Sequence, residues 1–215
     1  MRLAIPATLA VAVAAAIAAV PLVAQRAPMG GGMAPMMGAG APTDVAAGTY
    51  AIEPGHTQLS FTVTHLGITP FTGMFSGASG SMKLDPAHPE ATTLSVSVPI
   101  ASVQTTSDKL TEELRSADWL DAARFPTATF VSSSVMPMGN GMARVDGTLT
   151  LHGVSRPASI SARFFGAATN PMSKKASVGF VGRLMFKRAE FGVTKYVPMV
   201  SDDTSMSITA AFEKQ

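Results

Sequence analysis

The sequence predicts an all-β fold, an antiparallel barrel of about eight strands with one short helical insertion at about residues 107–122, and three observations carry that prediction. Apolar residues recur at every second position in six separate runs, the period of a strand with one dry face and one wet face. The apolar face alternates large Phe and Leu with Ala and Gly, and Gly147 and Gly182 fall inside runs where a sheet that closes on itself must bend. Tight hairpin signals join several of the runs.

Taken in chain order, Leu59, Phe61, Val63 and His65 form the first run, and weaker ones follow at residues 71–75 and 80–84. Leu94, Val96, Val98 and Ile100 alternate with Ser95, Ser97 and Pro99 in one of the two clearest cases. Period two then lapses. Ser107 is suited to cap a helix with Asp108 in its first turn and Leu110 and Leu114 on one face, and Asp118 is expected to cap a second turn through Asp121 before Phe125-Pro126 ends it. Strands resume weakly over residues 127–135, then with Val145, Gly147, Leu149 and Leu151, with Ala158, Ile160, Ala162 and Phe164, and with Val178, Phe180, Gly182, Leu184 and Phe186. Asn140-Gly141 suits a type I′ turn, and His152-Gly153 with Arg156-Pro157 is expected to close another. Met206, Ile208, Ala210 and Phe212 complete the set.

The chain has 215 residues, divided by composition into three parts: a signal peptide over 1–24, a flexible Gly/Met/Pro-rich tether over 25–47 and the barrel over 48–215. Arg2 followed by the apolar run 3–20 and small residues up to Ala24 reads as an export signal rather than an uncleaved anchor, so the expected location is the periplasm. With no cysteine there is no disulfide framework, thiol nucleophile or thiolate metal site. A formal charge of +2 without a basic stripe argues against a nucleic-acid partner. Met29, Met33, Met36 and Met37 are soft thioethers of the kind Cu(I) selects, but no His or Cys accompanies them, and a low-complexity linker is the reading adopted. Phe occurs 11 times against two Tyr and one Trp, which gives the expected lumen an apolar wall.

Five blocks in order resemble the YceI-like family: YAIEPGHTQLSFTVTHLG at 50–67, FTGMFSG at 71–77, LRSADWLDAARFP at 114–126 with TFVS at 129–132, GTLTLHGVSRP at 147–157, and KRAEFG at 187–192. The resemblance runs from about Gly48 onward. It implies a lipocalin-like barrel in the periplasm that binds polyisoprenoids or similar long amphiphilic lipids; apart from the resemblance, no cofactor and no metal are expected. Glu53, Thr57 and Trp119 stand where the family uses Asp, Ser and Phe, and the bulkier indole near the helical lid bears on the length of ligand accommodated. The ligand-binding residues expected on this basis are Phe61, Val63, His65, Phe71, Phe75, Trp119, Leu120, Phe130, Phe180, Arg188 and Phe191.

Several of these have plainer readings. His65 shares parity with Phe61 and Val63 and so faces inward, where a polar group needs either a ligand head group or a structural partner; both readings stand. His56, ahead of the strand, reads as structural, and His88 and His152 sit too far apart in sequence for a zinc set. Arg156 and Arg188 suit an anionic head group in geometry, but an Arg in such a place more often covers apolar surface or pairs with a carboxylate, and Asp202, Asp203 and Glu190 are available. No catalytic constellation is visible: no Gly-x-Ser-x-Gly, no His-Glu-x-x-His and no phosphate-cradling loop. The expectation is therefore a carrier and not an enzyme, with transient membrane contact at most and a homodimer as the assembly envisaged. The alternatives are a barrel isomerase or hydrolase using His65 as base, and an envelope protein whose barrel is filled by its own side chains.

Overall fold

A computed structural model describes residues 45–215, so the expected signal and most of the tether lie outside the described residues. Among the described residues there are ten strands: β1 (Gly48–Ile52), β2 (Gln58–His65), β3 (Thr69–Phe75), β4 (Ser79–Leu84), β5 (Thr93–Pro99), β6 (Thr127–Gly139), β7 (Met142–Leu151), β8 (Val154–Thr169), β9 (Ala176–Lys187) and β10 (Asp203–Lys214). They make a barrel of eight staves, because two of the staves are each broken in two. β10 pairs along one edge with β9, and along the other with β2, from Thr62 opposite Ser205 to Gln58 opposite Thr209, and then with β1, from Ile52 opposite Phe212 to Tyr50 opposite Lys214. β3 pairs with β2 and β4 with β1, so the second stave is broken at the same level. All pairings are antiparallel, and β4–β5 through β8–β9 close the ring.

The break between β1 and β2 is a knot of side-chain hydrogen bonds. The Glu53 carboxylate accepts from the backbone N–H groups of Gly55 and His56 at 2.8 and 2.9 Å and from the His56 ring. Burial pushes the Glu53 pKa up, but the His56 ring and those two N–H groups outweigh it, so the net direction is down. Thr57, buried at the end of the knot, donates to the Glu53 carbonyl at 2.8 Å and accepts from the Ala211 N–H at 3.1 Å, which ties the break to β10. His56 is thus a structural residue on the outer surface, as its place ahead of the strand suggested.

Alternation places the predicted faces correctly. Leu94, Val96 and Val98, and Met206, Ile208, Ala210 and Phe212, all face the lumen, while Ser95, Ser97, Ser205, Ser207 and Thr209 alternate with them. An apolar inside and a polar outside is the reverse of a membrane-spanning barrel. No helix among the described residues is long and apolar enough to cross a membrane. Val45 is already packed with Tyr50, Met82, Val178 and Phe212, three residues ahead of the expected domain boundary.

The two intrastrand glycines differ in what they do. Gly147 on β7 lies opposite a bulge in β6 between Ser132 and Ser134, and a Cβ there would run into the Val131 carbonyl oxygen and lie 2.7 Å from the Phe130 ring. The bulge also shifts parity, so that both Phe130 and Val135 face inward on one strand. Gly182 is less tightly held, its nearest neighbour being the Ile160 side chain at 3.1 Å.

The turns came out largely as expected. Asn140 and Gly141 (φ 51° and 72°) make a two-residue loop between Gly139 and Met142, and His152 and Gly153 (φ 52° and 75°) make another between Leu151 and Val154. Arg156 and Pro157 do not belong to that turn; they pair with Leu149 and Thr148 inside β8. The helix α1 (Asp108–Arg115) starts where expected, with the Ser107 hydroxyl accepting from the Leu110 N–H. Beyond Arg115 the expected second helical turn is instead a chain of tight turns, with the N–H groups of Trp119 and Asp121 both bonded to the Ser116 carbonyl. Asp118 does not cap it, because its carboxylate is turned to Lys195, 77 residues away.

Candidate functional site

Because the strands alternate in direction, the insertion 100–126, the β2–β3 turn, the β7–β8 turn and the loop 188–202 gather at one end of the barrel, here the lid end. The β4–β5 loop, the β6–β7 turn, the β8–β9 loop and the start of β1 gather at the other. Between them runs a cavity of about 690 Å³. Eight of the 11 phenylalanines border it, so the apolar lumen follows from composition plus parity. The lumen is not filled by the barrel's own side chains, which removes the main support for a filled structural barrel.

Phe61, Val63, His65, Phe71, Phe75, Trp119, Leu120, Phe130, Phe180 and Arg188 all border this cavity. Phe191 does not: it is fully buried behind the wall, its ring 5.5 Å from that of Phe186, which does border it. The Phe191 carbonyl accepts from His152 Nδ1 at 3.1 Å, so residue and ring serve to pack the lid end. Phe61 lies across the strand pair from Gly73, and a Cβ at Gly73 would collide with its ring; the missing side chain lets the ring lie flat on β3. Phe61 and Phe75 are 5.7 Å apart between ring centroids, and Phe180 contacts Phe164 and Phe212 edge-on, which gives the wall two aromatic clusters.

The ionisable lining residues are His65, Glu113, Arg188 and Tyr196, and all four stand at the lid end. Arg188 is buried, and it is neutralised by neither Asp203 nor Glu190. Its Nε donates to the Ser201 carbonyl at 2.9 Å, Nη1 to Val193 at 2.8 Å and Nη2 to Val200 at 2.8 Å. Burial pushes its pKa down, with Asp202 acting in the opposite direction. One planar fork therefore shapes the loop 193–201, a task for which Lys lacks the geometry. The guanidinium also lies over the Trp119 ring at 5.3 Å. Asp203 pairs instead with Lys187 at 2.9 Å, and exposed Arg156 donates to its neighbour's carbonyl, outside the cavity.

Two contacts at the lid end had no signal in sequence. Lys195 donates to Asp118 at 2.8 Å and lies 3.7 Å from Glu113, whose carboxylate also accepts from Trp119 Nε1 at 3.1 Å. Tyr196 meets Trp119 edge-on at 6.0 Å. The loop 188–202 is thus latched to the insertion at the lid end by an ion pair, a cation over an indole and an aromatic contact. The Lys195 hydrogen bond and charge hold Asp118 below the usual carboxylate range, and Asp118 in turn raises Lys195. Among the described residues no three His, Asp or Glu side chains stand together as a metal set.

Fold and cavity define the class: an antiparallel eight-stave barrel with an apolar lumen and its charged groups at one end. Residues 50–212 match the family model described as the YceI-like domain, and the chain belongs to that family. A UPF0312 protein of Vibrio cholerae is 36% identical over 149 residues, 68% of this chain and 78% of its own length. The crystal structure of BcnA from Burkholderia cenocepacia is similar with a TM-score of 0.66 and 25% identity, covering 74% of this chain and 98% of that one. A polyisoprenoid binding domain from Saccharophagus degradans, implicated in plant cell wall breakdown, shares the fold with a TM-score of 0.61 at 16% identity, over 77% of this chain and 98% of its own.

Proposed function

We propose that this protein holds one long-chain isoprenoid, or a similar amphiphilic lipid, in its lumen and carries it through the periplasm. The observation that carries the reading is the polarity of the cavity: about 690 Å³ with an apolar wall, and ionisable side chains only at the lid end. A chain of isoprene units fits the apolar length, and a head group that accepts hydrogen bonds or makes polar contacts fits the end near His65, Trp119 and Tyr196. The polyisoprenoid-binding description of the Saccharophagus degradans domain supports the ligand class, and Arg2 with the apolar run 3–20 supports export. Of the charged groups in the lining, Glu113 is engaged by Trp119 and Lys195 and Arg188 by three backbone carbonyls, so binding explains the site without chemistry.

Burial of the chain is driven by about 25 cal/mol per Å² of apolar surface, so affinity rises with each isoprene unit until the lumen is full and then levels off. Native mass spectrometry and competition with prenols of graded length test this. Affinity indifferent to chain length, or no uptake of any prenol or quinone, would sink the carrier reading.

A further inference from the structure

Two loops at the lid end, hydrogen-bonded to each other, carry exposed apolar side chains around the cavity. Leu66 and Ile68 stand on the β2–β3 turn, with Ile68 75% exposed. Tyr196, Val197 and Met199 stand on the loop shaped by Arg188, with Met199 54% exposed. The Leu66 N–H donates to the Met199 carbonyl at 2.6 Å, His65 bridges to Val200, and the Ser201 N–H donates to the Thr64 carbonyl at 2.9 Å, so the five side chains form one rim. His65, Phe71, Tyr196 and Val200 line the lumen as well, which makes the rim continuous with the cavity wall.

The rim is depleted of charge. No Asp, Glu, Lys or Arg occurs from Leu66 to Met82, and between Gly192 and Ser201 there is only Lys195. That one cation is turned to Asp118 and Glu113 on the insertion. Loops that merely face water carry charge; exposed apolar side chains without charge mark a surface that is covered in use. We propose that this rim docks on the surface of a lipid bilayer, the apolar side chains entering the boundary between head groups and acyl chains with Tyr196 at the level of the head groups. The proposal rests on the lumen holding a lipid: such a cargo is dissolved in acyl chains, and an apolar rim joined to the apolar wall lets it pass without crossing water. A protein partner is the less favoured occupant, because beside His65 and the Tyr196 hydroxyl the rim side chains offer no polar or charged groups to fix a register between two proteins.

The test is flotation of the protein, as released from its own cells, with vesicles of dioleoyl phosphatidylcholine at low and high salt, beside the double variant Ile68→Glu/Met199→Glu. The wild type is expected to float with the vesicles equally at both salt concentrations, since no cation takes part. The double variant, with its melting temperature and prenol uptake unchanged, is expected to partition at least about tenfold more weakly. Failure of the wild type to float, or equal flotation of the variant, overturns the proposal, the second result placing the contact elsewhere in the chain. Prenol uptake without flotation removes the docking surface and leaves the carrier reading intact. Flotation without uptake of any prenol removes the carrier reading, and with it the reason for the docking.

Discussion

Gly147→Ala separates a wall that merely tolerates glycine from one that requires it. The added Cβ meets the Val131 carbonyl oxygen, the Ser132 Cα at 3.0 Å and the Phe130 ring at 2.7 Å, and the first two are backbone of the neighbouring strand at its bulge. Backbone cannot swing aside as a side-chain end does, so the bulge must shift, an overpacking that costs about 1–3 kcal/mol or more. Loss of glycine's freedom in the unfolded chain returns about 0.4–1 kcal/mol, leaving a net cost of about 1–2 kcal/mol. At roughly 2–4 °C per kcal/mol for a domain of this size, the melting temperature falls by about 2–8 °C. Gly182→Ala is the milder comparison, since its nearest neighbour is the Ile160 Cγ2 methyl at 3.1 Å and the nearest backbone atom is 3.5 Å away, and its cost is expected to stay below about 1 kcal/mol. Thermal unfolding followed by circular dichroism reads both. If Gly147→Ala melts no lower than Gly182→Ala, the account of the bulge as a closure device is wrong.

Three further outcomes are expected. Ala162→Phe places a ring in the lumen from β8 and is expected to cut prenol uptake at least about tenfold while leaving the melting temperature within about 2 °C, since it fills empty space; unchanged uptake would mean the ligand lies elsewhere. Arg188→Met leaves the buried carbonyls of Val193, Val200 and Ser201 without their donors and is expected to cost at least about 3 kcal/mol by chemical denaturation, with Arg188→Lys recovering less than half. Asp118 has a folded pKa below its ordinary 3.8, so its contact with Lys195 stabilises the folded state above that pH and is lost as pH falls through the lowered value. Trp119 is the sole tryptophan and reports on the latch; its fluorescence is expected to hold steady from pH 7 to 5 and shift below about pH 4, and Asp118→Asn is expected to show the shifted spectrum already at pH 7.

The barrel was legible because alternation is local. Leu94 to Val98 and Met206 to Phe212 announce their inner face without reference to any partner, and eight of the eleven Phe residues border the lumen. What stayed hidden depends on contacts between distant residues. Within residues 50–67 Pro54-Gly55 marks a break, but nothing there shows that the strand resumes on the same stave, since the break is made good by Ala211 on another strand. Asp118 reads as a helix cap because its partner, Lys195, lies 77 residues on. Phe191 shares the chemistry of the wall residues, and only the left-handed turn at Gly192 (φ 81°) and the short helical turn before it take the ring out of the lumen. For Arg188 the side chain was noticed, but its carbonyl partners are backbone, which a search for carboxylates does not find.

The pairing of β1 with β10 sets the order in which the molecule can come into being. Tyr50 lies opposite Lys214, and the Gln215 N–H donates to the Thr49 carbonyl at 2.9 Å, so the seam joins the first described strand to the last. As the chain emerges from synthesis, β1 and β2 wait with one edge open until nearly the whole domain has followed, and the lumen has no closed wall until then. Contacts of such long sequence separation make for slow folding, and the waiting edges are surfaces for chaperones or for misassociation. On the proposed carrier reading, a chain that meets a lipid before β10 arrives can fold around it, whereas one that meets it later must admit it past Trp119 and the Lys195 latch, so the time of loading decides whether the lid ever has to open.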